Sequence, residues 1–308
     1  MVRMLGSIAP VILNDYNYFT ADTSYDKNWV VARSVTKWSP WGHEIENKDA
    51  IGNFTAAQYG YNHQLPVAVA QNARQHQMFA ESFEDFRVLE VASSLARMSY
   101  SPFAGFFSLA QLSGTPYAQY NISSGSITLT TNAAHSGTYS LATSGSGANL
   151  QFPMAGDPVS AGQPRYNSFT MEHSQRYLLS YWFRPQSISS LVHAYSAPLG
   201  QVRSNIIDGW QQAEMVITTP SSGSTYSLTF PSGLYIDDIR IMPINANMKA
   251  FVYHPVNQRL IATLDENNFA SFYEYDQEGN LIRTKKETEK GIITVMESRS
   301  ANAKGVTN

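Results

Sequence analysis

The stretch His43-Glu44-Ile45-Glu46-Asn47 opens like the His-Glu-x-x-His signature of a zinc hydrolase, in which two imidazoles share the metal and the Glu works as base. Position 47 is Asn, so the second ligand is missing. The seven histidines (43, 63, 76, 135, 173, 193, 254) show no paired metal spacing. No Gly-x-Ser-x-Gly elbow presents a nucleophile. Ser144-Gly145-Ser146-Gly147 lacks the lysine of a phosphate loop and reads as a hairpin turn. Glu81, Glu84, Asp85 and Glu90 cluster in sequence, whereas a glycosidase needs two carboxylates facing across a cleft; such crowding near a strand start is the pattern of a solvated face or of ion ligands. Catalysis is therefore not expected. Rings are abundant instead: Trp182, Trp210, Tyr181, Tyr195 and Tyr226, with Arg203, Asn205, Gln211 and Gln212 nearby in sequence. An exposed ring stacks on the apolar face of a pyranose while amides and carboxylates bond its hydroxyls. Rings also fill cores, because each buries a large apolar area, and that is the commoner use of any single one. Tyr181 and Trp182 are adjacent, so on a strand they point to opposite faces, one inward and the other available to a ligand. His135 starts a tight turn, which its hydrogen bonds would orient.

The elements that must position these groups are short strands. Ser126 to Thr131, Thr138 to Thr143, Leu178 to Phe183, Ala213 to Thr218, Thr225 to Phe230 and Leu234 to Ile241 are rich in β-branched and aromatic residues and are separated by Gly, Pro, Ser and Asn clusters. Several alternate apolar and polar, as half-buried antiparallel strands do, and their number suits a two-sheet sandwich of the jelly-roll kind over residues 79–245. Phe86 to Met98 reads equally as an amphipathic helix or as a strand and loop. Residues 1–78 carry turn signals (Ser39-Pro40, Ile51-Gly52-Asn53) between short aromatic stretches such as Trp29 to Ala32 and Phe54 to Tyr59. They read as an irregular β-rich segment with one helix around Val67 to Ala73. Residues 246–298 hold a near-repeat: Phe251 to Pro255 leading to Arg259-Leu260, echoed by Tyr273 to Asp276 leading to Gly279-Asn280-Leu281. Such a period marks stacked strand-turn-strand units, with turns at Asp265 to Asn268 and Glu278 to Asn280. Residues 299–308 read as a polar, disordered tail.

Three resemblances follow from these residues. Tyr275-Asp276 with Gly279-Asn280-Leu281 resembles the tyrosine-aspartate (YD, or RHS-type) repeat; the first copy departs from it, with His254 in place of the Asp. Two copies imply a short β appendage, not a toxin shell. The segment Trp38 to Ala73, with Phe83-Glu84-Asp85 and the tail, is similar to the C-terminal region of very large surface proteins of Bacteroidetes-type bacteria, which implies export and an extracellular or cell-surface location. The middle domain resembles the jelly rolls of carbohydrate-binding modules, through Phe83-Glu84, Ala134 to Leu141, Tyr177 to Pro185, Gly209 to Gln212 and Leu234 to Ile241. That resemblance implies a glycan as ligand, with Trp182, Trp210, Tyr181 and Tyr195 as its contacts, although in that family the tryptophan matching Trp210 usually packs under the sandwich. It also implies a structural calcium held by Glu84, the turn at Ser136-Gly137, and Asp237 with Asp238 as second choice. Calcium takes six to eight oxygens, which carboxylates and carbonyls from distant segments can supply. The plainer alternative has Asp237 and Asp238 in an edge strand or turn, one solvated and one bonded to backbone.

Composition bounds these readings. The chain has 308 residues, 21 basic and 24 acidic, so its formal net charge of −3 excludes a strongly electrostatic nucleic-acid binder. Only 15% of residues are charged, and 18 tyrosines help supply a polar but weakly charged surface, as in extracellular β proteins. Without cysteine there is no disulfide scaffold, thiol nucleophile or Cys-ligated zinc. No apolar run approaches the roughly 18 residues of a membrane helix, and the N-terminus, broken by Gly6 and Pro10, does not read as a signal peptide; an export signal is expected upstream. The overall expectation is a mainly β, non-catalytic module: a jelly-roll β-sandwich flanked by an irregular β-rich segment and a YD-like appendage. It would bind glycan or, alternatively, serve as a structural spacer docking on other segments of the same large protein.

Overall fold

The structure, a computed structural model, describes residues 31–61, 63–85, 121–154, 169–187, 201–202 and 204–298. Phe86 to Met98, the tail after 298 and the stretch up to 30 lie outside the described residues, as do Tyr195, Arg203, Glu90 and His193. The described residues are nearly all β, with one 3-10 turn (Gln75–Gln77) and no α-helix. No helix among them is long and apolar enough to cross a membrane.

The first four strands are β1 (Arg33–Trp38), β2 (Glu44–Asp49), β3 (Phe54–Gly60) and β4 (Leu65–Gln71). The middle of the chain gives β5 (Phe79–Glu81), β6 (Asn121–Thr130), β7 (Ser140–Pro153), β8 (Arg176–Pro185), β9 (Gln201–Val202), β10 (Gln211–Thr218), β11 (Thr225–Phe230) and β12 (Leu234–Pro243). The last five are β13 (Asn247–Tyr253), β14 (Leu260–Leu264), β15 (Ala270–Tyr275), β16 (Leu281–Thr288) and β17 (Gly291–Glu297). All six middle strands expected from composition are present. The helix expected at Val67 to Ala73 is instead β4. Its Val-Ala-Val-Ala alternation turns Ala68 and Ala70 inward, where a helical face would need a longer apolar period.

Every pairing between named strands is antiparallel. One nine-stranded sheet runs β1-β2-β3-β4-β13-β14-β15-β16-β17, closed in its middle by β4 against β13 (Met248 opposite Ala70, Ala250 opposite Ala68). The segments on either side of the sandwich therefore share one sheet. Its hairpins reuse one turn, in which an acid accepts from backbone N–H groups ahead of it. Asp49 Oδ1 accepts from Ile51 and Asn53, Asp265 Oδ1 from Asn267 and Phe269, and Asp276 Oδ1 from Asn280. Ser39 Oγ does the same for His43.

The sandwich is built on β7. Its first half pairs with β12, which continues through β8 and β10 to β9; its second half pairs with β11; β6 follows it throughout. The expected hairpin at Ser144 to Gly147 is the bend between the two halves. Gly145 and Gly147 adopt φ of 62° and 89°, and a Cβ on Gly147 would lie 2.3 Å from the Phe230 carbonyl oxygen. Phe152, Leu228 and Phe230 on one side meet Leu179, Tyr181, Ile236, Ile239 and Ile241 on the other in a single core.

The outer face of β8 and β12 is also covered. Ala80, Met242 and Leu178 meet a small-residue face of the nine-stranded sheet (Ala56, Ala68, Ala70, Ala250, Ala262, Ala270, with Met248 and Leu264). Alanines let the two backbones approach closely, so the architecture has three β layers with β8 and β12 in the middle one. This explains why those strands are buried along nearly their whole length and do not alternate.

Candidate functional site

The middle layer carries polar residues on the face it turns to the nine-stranded sheet: Ser180 and Trp182 from β8, Gln212 from β10, and Asp237, Asp238 and Arg240 from β12. A bulge in β12 sets Asp238 and Ile239 opposite a single residue, Tyr181, and puts Asp238 at φ 49°. Two consecutive acids thereby aim at the same turn, His135 to Tyr139.

Asp237 Oδ2 accepts from the backbone N–H groups of His135 (2.8 Å) and Ser136 (3.3 Å). Asp238 takes His135 Nδ1 at 2.7 Å on one oxygen and the Ser136 hydroxyl at 2.7 Å on the other. The opposite ring nitrogen of His135 meets Glu287 of β16, at 3.0 and 3.2 Å from its two oxygens. Glu287 in turn accepts from the Ala270 N–H. The imidazole is stacked on Trp182, with centroids 4.0 Å apart and planes 12° from parallel. Burial alone would lower the His135 pKa, but hydrogen bonds to Asp238 and Glu287 and the charges of both outweigh it and raise it to about 9. His135 is thus a buried imidazolium joining an acid of the sandwich to an acid of the second sheet.

Arg240 repeats the arrangement. Its guanidinium donates to the carbonyls of Met248, Asp265 and Glu266, the latter two in the β14–β15 turn. Burial pulls its pKa down to about 10, which leaves it charged at neutral pH. Trp182 Nε1 donates to the Asn268 carbonyl at 2.7 Å in the same turn, Asn268 Nδ2 reaches Ser180 Oγ and the Asp238 carbonyl, and Gln212 Nε2 reaches the Asn267 carbonyl.

These contacts decide the fate of the expected ligand-binding rings. Trp182, Trp210 and Tyr181 are 0, 3 and 1% exposed. Tyr181 lies in the sandwich core, while Trp182 and Trp210 pack around His135 under the turn 265–269. Adjacent Tyr181 and Trp182 do point to opposite faces, but both faces are covered, so neither ring has a side to offer a sugar. Tyr226 is half-buried against the core, and Asn205 donates to the Glu289 carbonyl.

The expected metal ligands separate into two groups. Asp238 is taken up by His135 and by the Ser136 hydroxyl, so an imidazolium supplies the positive charge at that carboxylate. The plainer alternative holds only in part: Asp237 is bonded to backbone N–H groups, but both acids are fully buried in a central strand, so neither is solvated. Glu84 and Asp237 approach the same turn, and Asp237 Oδ1 also accepts from the Asp238 N–H at 2.8 Å. Glu84 Oε1 accepts from Thr138 and Tyr139 N–H at 2.6 Å each, while Oε2 is buried with no hydrogen-bond partner. The turn presses so close that a Cβ on Gly137 would lie 2.5 Å from Glu84 Oε1. Burial raises the Glu84 pKa to about 8, against those two N–H donors and with help from Asp238. Burial, then the charge of Asp238, raises Asp237 well above its usual range. Among the described residues, no group of three or more His, Cys, Asp or Glu side chains is gathered to hold a metal.

Glu81 and Asp85 are buried, so of the two readings of their clustering, a solvated face or ion ligands, the solvated face does not hold. With Glu84, Tyr61 and Phe251 they line a cavity of about 20 Å³, room for about one water, and Asp85 accepts from the Tyr61 N–H. The zinc-like signature is also dispersed. Glu44 to Asp49 form a strand, His43 stacks on Tyr59, Glu44 pairs with Arg33, and buried Glu46 meets Lys37, Arg74 and the Gln75 N–H. Glu287, the residue that sequence reasoning missed, sits in a Lys-Lys-Glu-Thr-Glu-Lys run that looks like solvated surface; its only signal would have been its place two strands from Leu264.

No family model matches the chain, and no curated protein does. Among solved structures it is similar to the C-terminal family 22 carbohydrate-binding module of Xyn10B from Clostridium thermocellum, at 12% identity over 43% of this chain and 90% of that one, with a TM-score of 0.25.

Proposed function

We propose that this chain is a non-catalytic assembly module of an extracellular or cell-surface protein, in which a β-sandwich is docked rigidly on a second sheet of the same chain. The observation that carries the reading is Trp182. Among the described residues it is the largest fully buried side chain, stacked on His135 and donating to the Asn268 carbonyl, so the place a sugar would take is filled by the chain's own β14–β15 turn. Around it, two buried cations reach from the sandwich to the second sheet, an arrangement that sets a fixed geometry between layers at a high desolvation cost. Glu84 and Asp237 would bind a structural calcium with carbonyls of the turn at Ser136-Gly137. The ion would neutralise two carboxylates that burial otherwise penalises, tying the start of the sandwich to its last strand. The test is calorimetry of the whole chain. A docked unit unfolds in one transition whose calorimetric and van't Hoff enthalpies agree; two separate transitions, one for the sandwich and one for the nine-stranded sheet, would overturn the reading.

A further inference from the structure

The nine-stranded sheet has two edges, and they differ in kind. At one edge β1 carries Arg33 and Lys37, each paired with an acid of β2, Glu44 and Glu46. Charged side chains of this sort keep an edge from joining another chain. At the other edge β17 runs Gly291-Ile292-Ile293-Thr294-Val295-Met296-Glu297, with no charge between Lys290 and Glu297. No described strand lies beyond it. Ile292, Ile293, Val295 and Met296 are 40, 52, 62 and 42% exposed. Ile292 and Ile293 stand opposite Glu287 and Lys286 of β16 and, being adjacent, point to opposite faces, so the margin is apolar on both. A bulge can turn an edge away from partners, and the pairing of β16 with β17 has one between Thr284 and Lys285. It does not hide the apolar groups: Val295, the residue it inserts, is the most exposed of the four.

We infer that β17 is a pairing edge for a second copy of this chain. It joins the β17 of that copy antiparallel about a two-fold axis, so that the sheet continues across both chains. Half of a strand's N–H and C=O groups point away from its neighbour, and at an edge they form a template for a further strand. The charges select the occupant and its direction. Lys290 immediately precedes the strand and Glu297 ends it, while Glu289 lies one residue further out in the turn. Antiparallel pairing of two copies sets each Lys290 end beside the other's Glu297 end, around an uncharged middle. A parallel arrangement would set like charge beside like. Glu297 is positioned by Arg283 of its own chain and keeps its side chain 36% exposed, open to a second cation. A two-fold contact is self-complementary in this way, with the same patch on both chains. The inference goes beyond the assembly reading: it concerns contact between copies and is read by mass, not by the number of unfolding transitions.

The experiment is sedimentation equilibrium of the full chain at several concentrations. A monomer–dimer equilibrium is expected, with its dissociation constant raised about tenfold or more by Val295→Lys, which puts like charges on the two facing edges. Val256→Lys is the control: that valine is 84% exposed in the turn after β13, and changing it should leave the equilibrium alone. Both positions are exposed in the single chain, so far-UV circular dichroism should not change with either substitution. Direction is read by cross-linking. The chain has no cysteine, so Thr294→Cys at the middle of β17 gives one thiol per chain. Oxidation with copper–phenanthroline should yield covalent dimers of it, whereas Ser34→Cys on β1 should give none. A chain that stays monomeric leaves the edge to a strand of another protein and overturns the proposal. So does a dimer that Val295→Lys leaves intact. So too do cross-links between Thr294→Cys and Ser34→Cys chains in a mixture, which would mean head-to-tail contact of the two edges.

Discussion

Replacing His135 with glutamine removes the charge that joins Asp238 to Glu287 while keeping a polar side chain of similar reach. The native imidazolium is held with its pKa raised from 6.5 to about 9, a difference of roughly 2.5 units, which corresponds to about 3 kcal/mol of stabilisation. The sign follows from the direction. A base whose pKa is higher in the folded state stabilises fully below its unfolded value of 6.5, and that contribution is lost as the pH rises through about 9. Wild-type chain should therefore lose about 3 kcal/mol between pH 6 and pH 9.5 from this residue. Glu84, raised from 4.5 to about 8, and Asp237, raised well above its usual range, act in the same direction in both proteins, so the His135 contribution is read from the difference between the two pH profiles. The assay is urea unfolding at pH 6, 7.5 and 9.5, read by far-UV circular dichroism for both proteins. His135→Gln should be less stable by about 3 kcal/mol at pH 6, since removing one partner leaves buried carboxylates uncompensated, and nearly equal to wild type at pH 9.5. Parallel pH profiles for the two proteins would refute the charged clamp.

Three further outcomes follow from the same structure. Calcium should raise the melting temperature relative to chelator, and Glu84→Gln should abolish the rise; in chelator, stability should fall as pH climbs from 4.5 to 8 as Glu84 ionises, and calcium should flatten that fall. An unchanged melting temperature would remove the ion. Arg240→Met should cost roughly 2 to 4 kcal/mol in urea unfolding, because three carbonyls at the layer junction lose their donor. Gly147→Ala should destabilise by about 2 kcal/mol more than Gly223→Ala: both glycines have positive φ, but a Cβ on Gly147 meets the Phe230 carbonyl while one on Gly223 meets open space. Differential scanning fluorimetry ranks the pair.

What could be read along the chain was whatever depends on neighbours in sequence. Strands β6, β7, β8, β10, β11 and β12 announce themselves because alternation and β-branched content act within a few residues, and the turns at Asp265 and Asp276 because an acid and the N–H groups ahead of it are local partners. The early Glu84, the turn at 136–137 and the acid pair 237–238, grouped by sequence resemblance, do lie together. The role of each acid was not legible. Whether Asp238 faces an ion or an imidazole depends on a one-residue bulge in β12 and on Glu287, which arrives from a strand that pairs in another sheet. The same holds for the rings. Sequence places Trp182 on a strand face opposite Tyr181, but only the docking of a third β layer determines that this face is covered, since burial is a property of what else in the chain comes to rest there. Likewise the pairing of β4 with β13, which joins residues far apart into one sheet, leaves no local trace beyond the alanines that make the close approach sterically feasible. Local chemistry set the strands and turns; long-range packing chose which of their polar and aromatic groups meet each other and which are left to meet solvent.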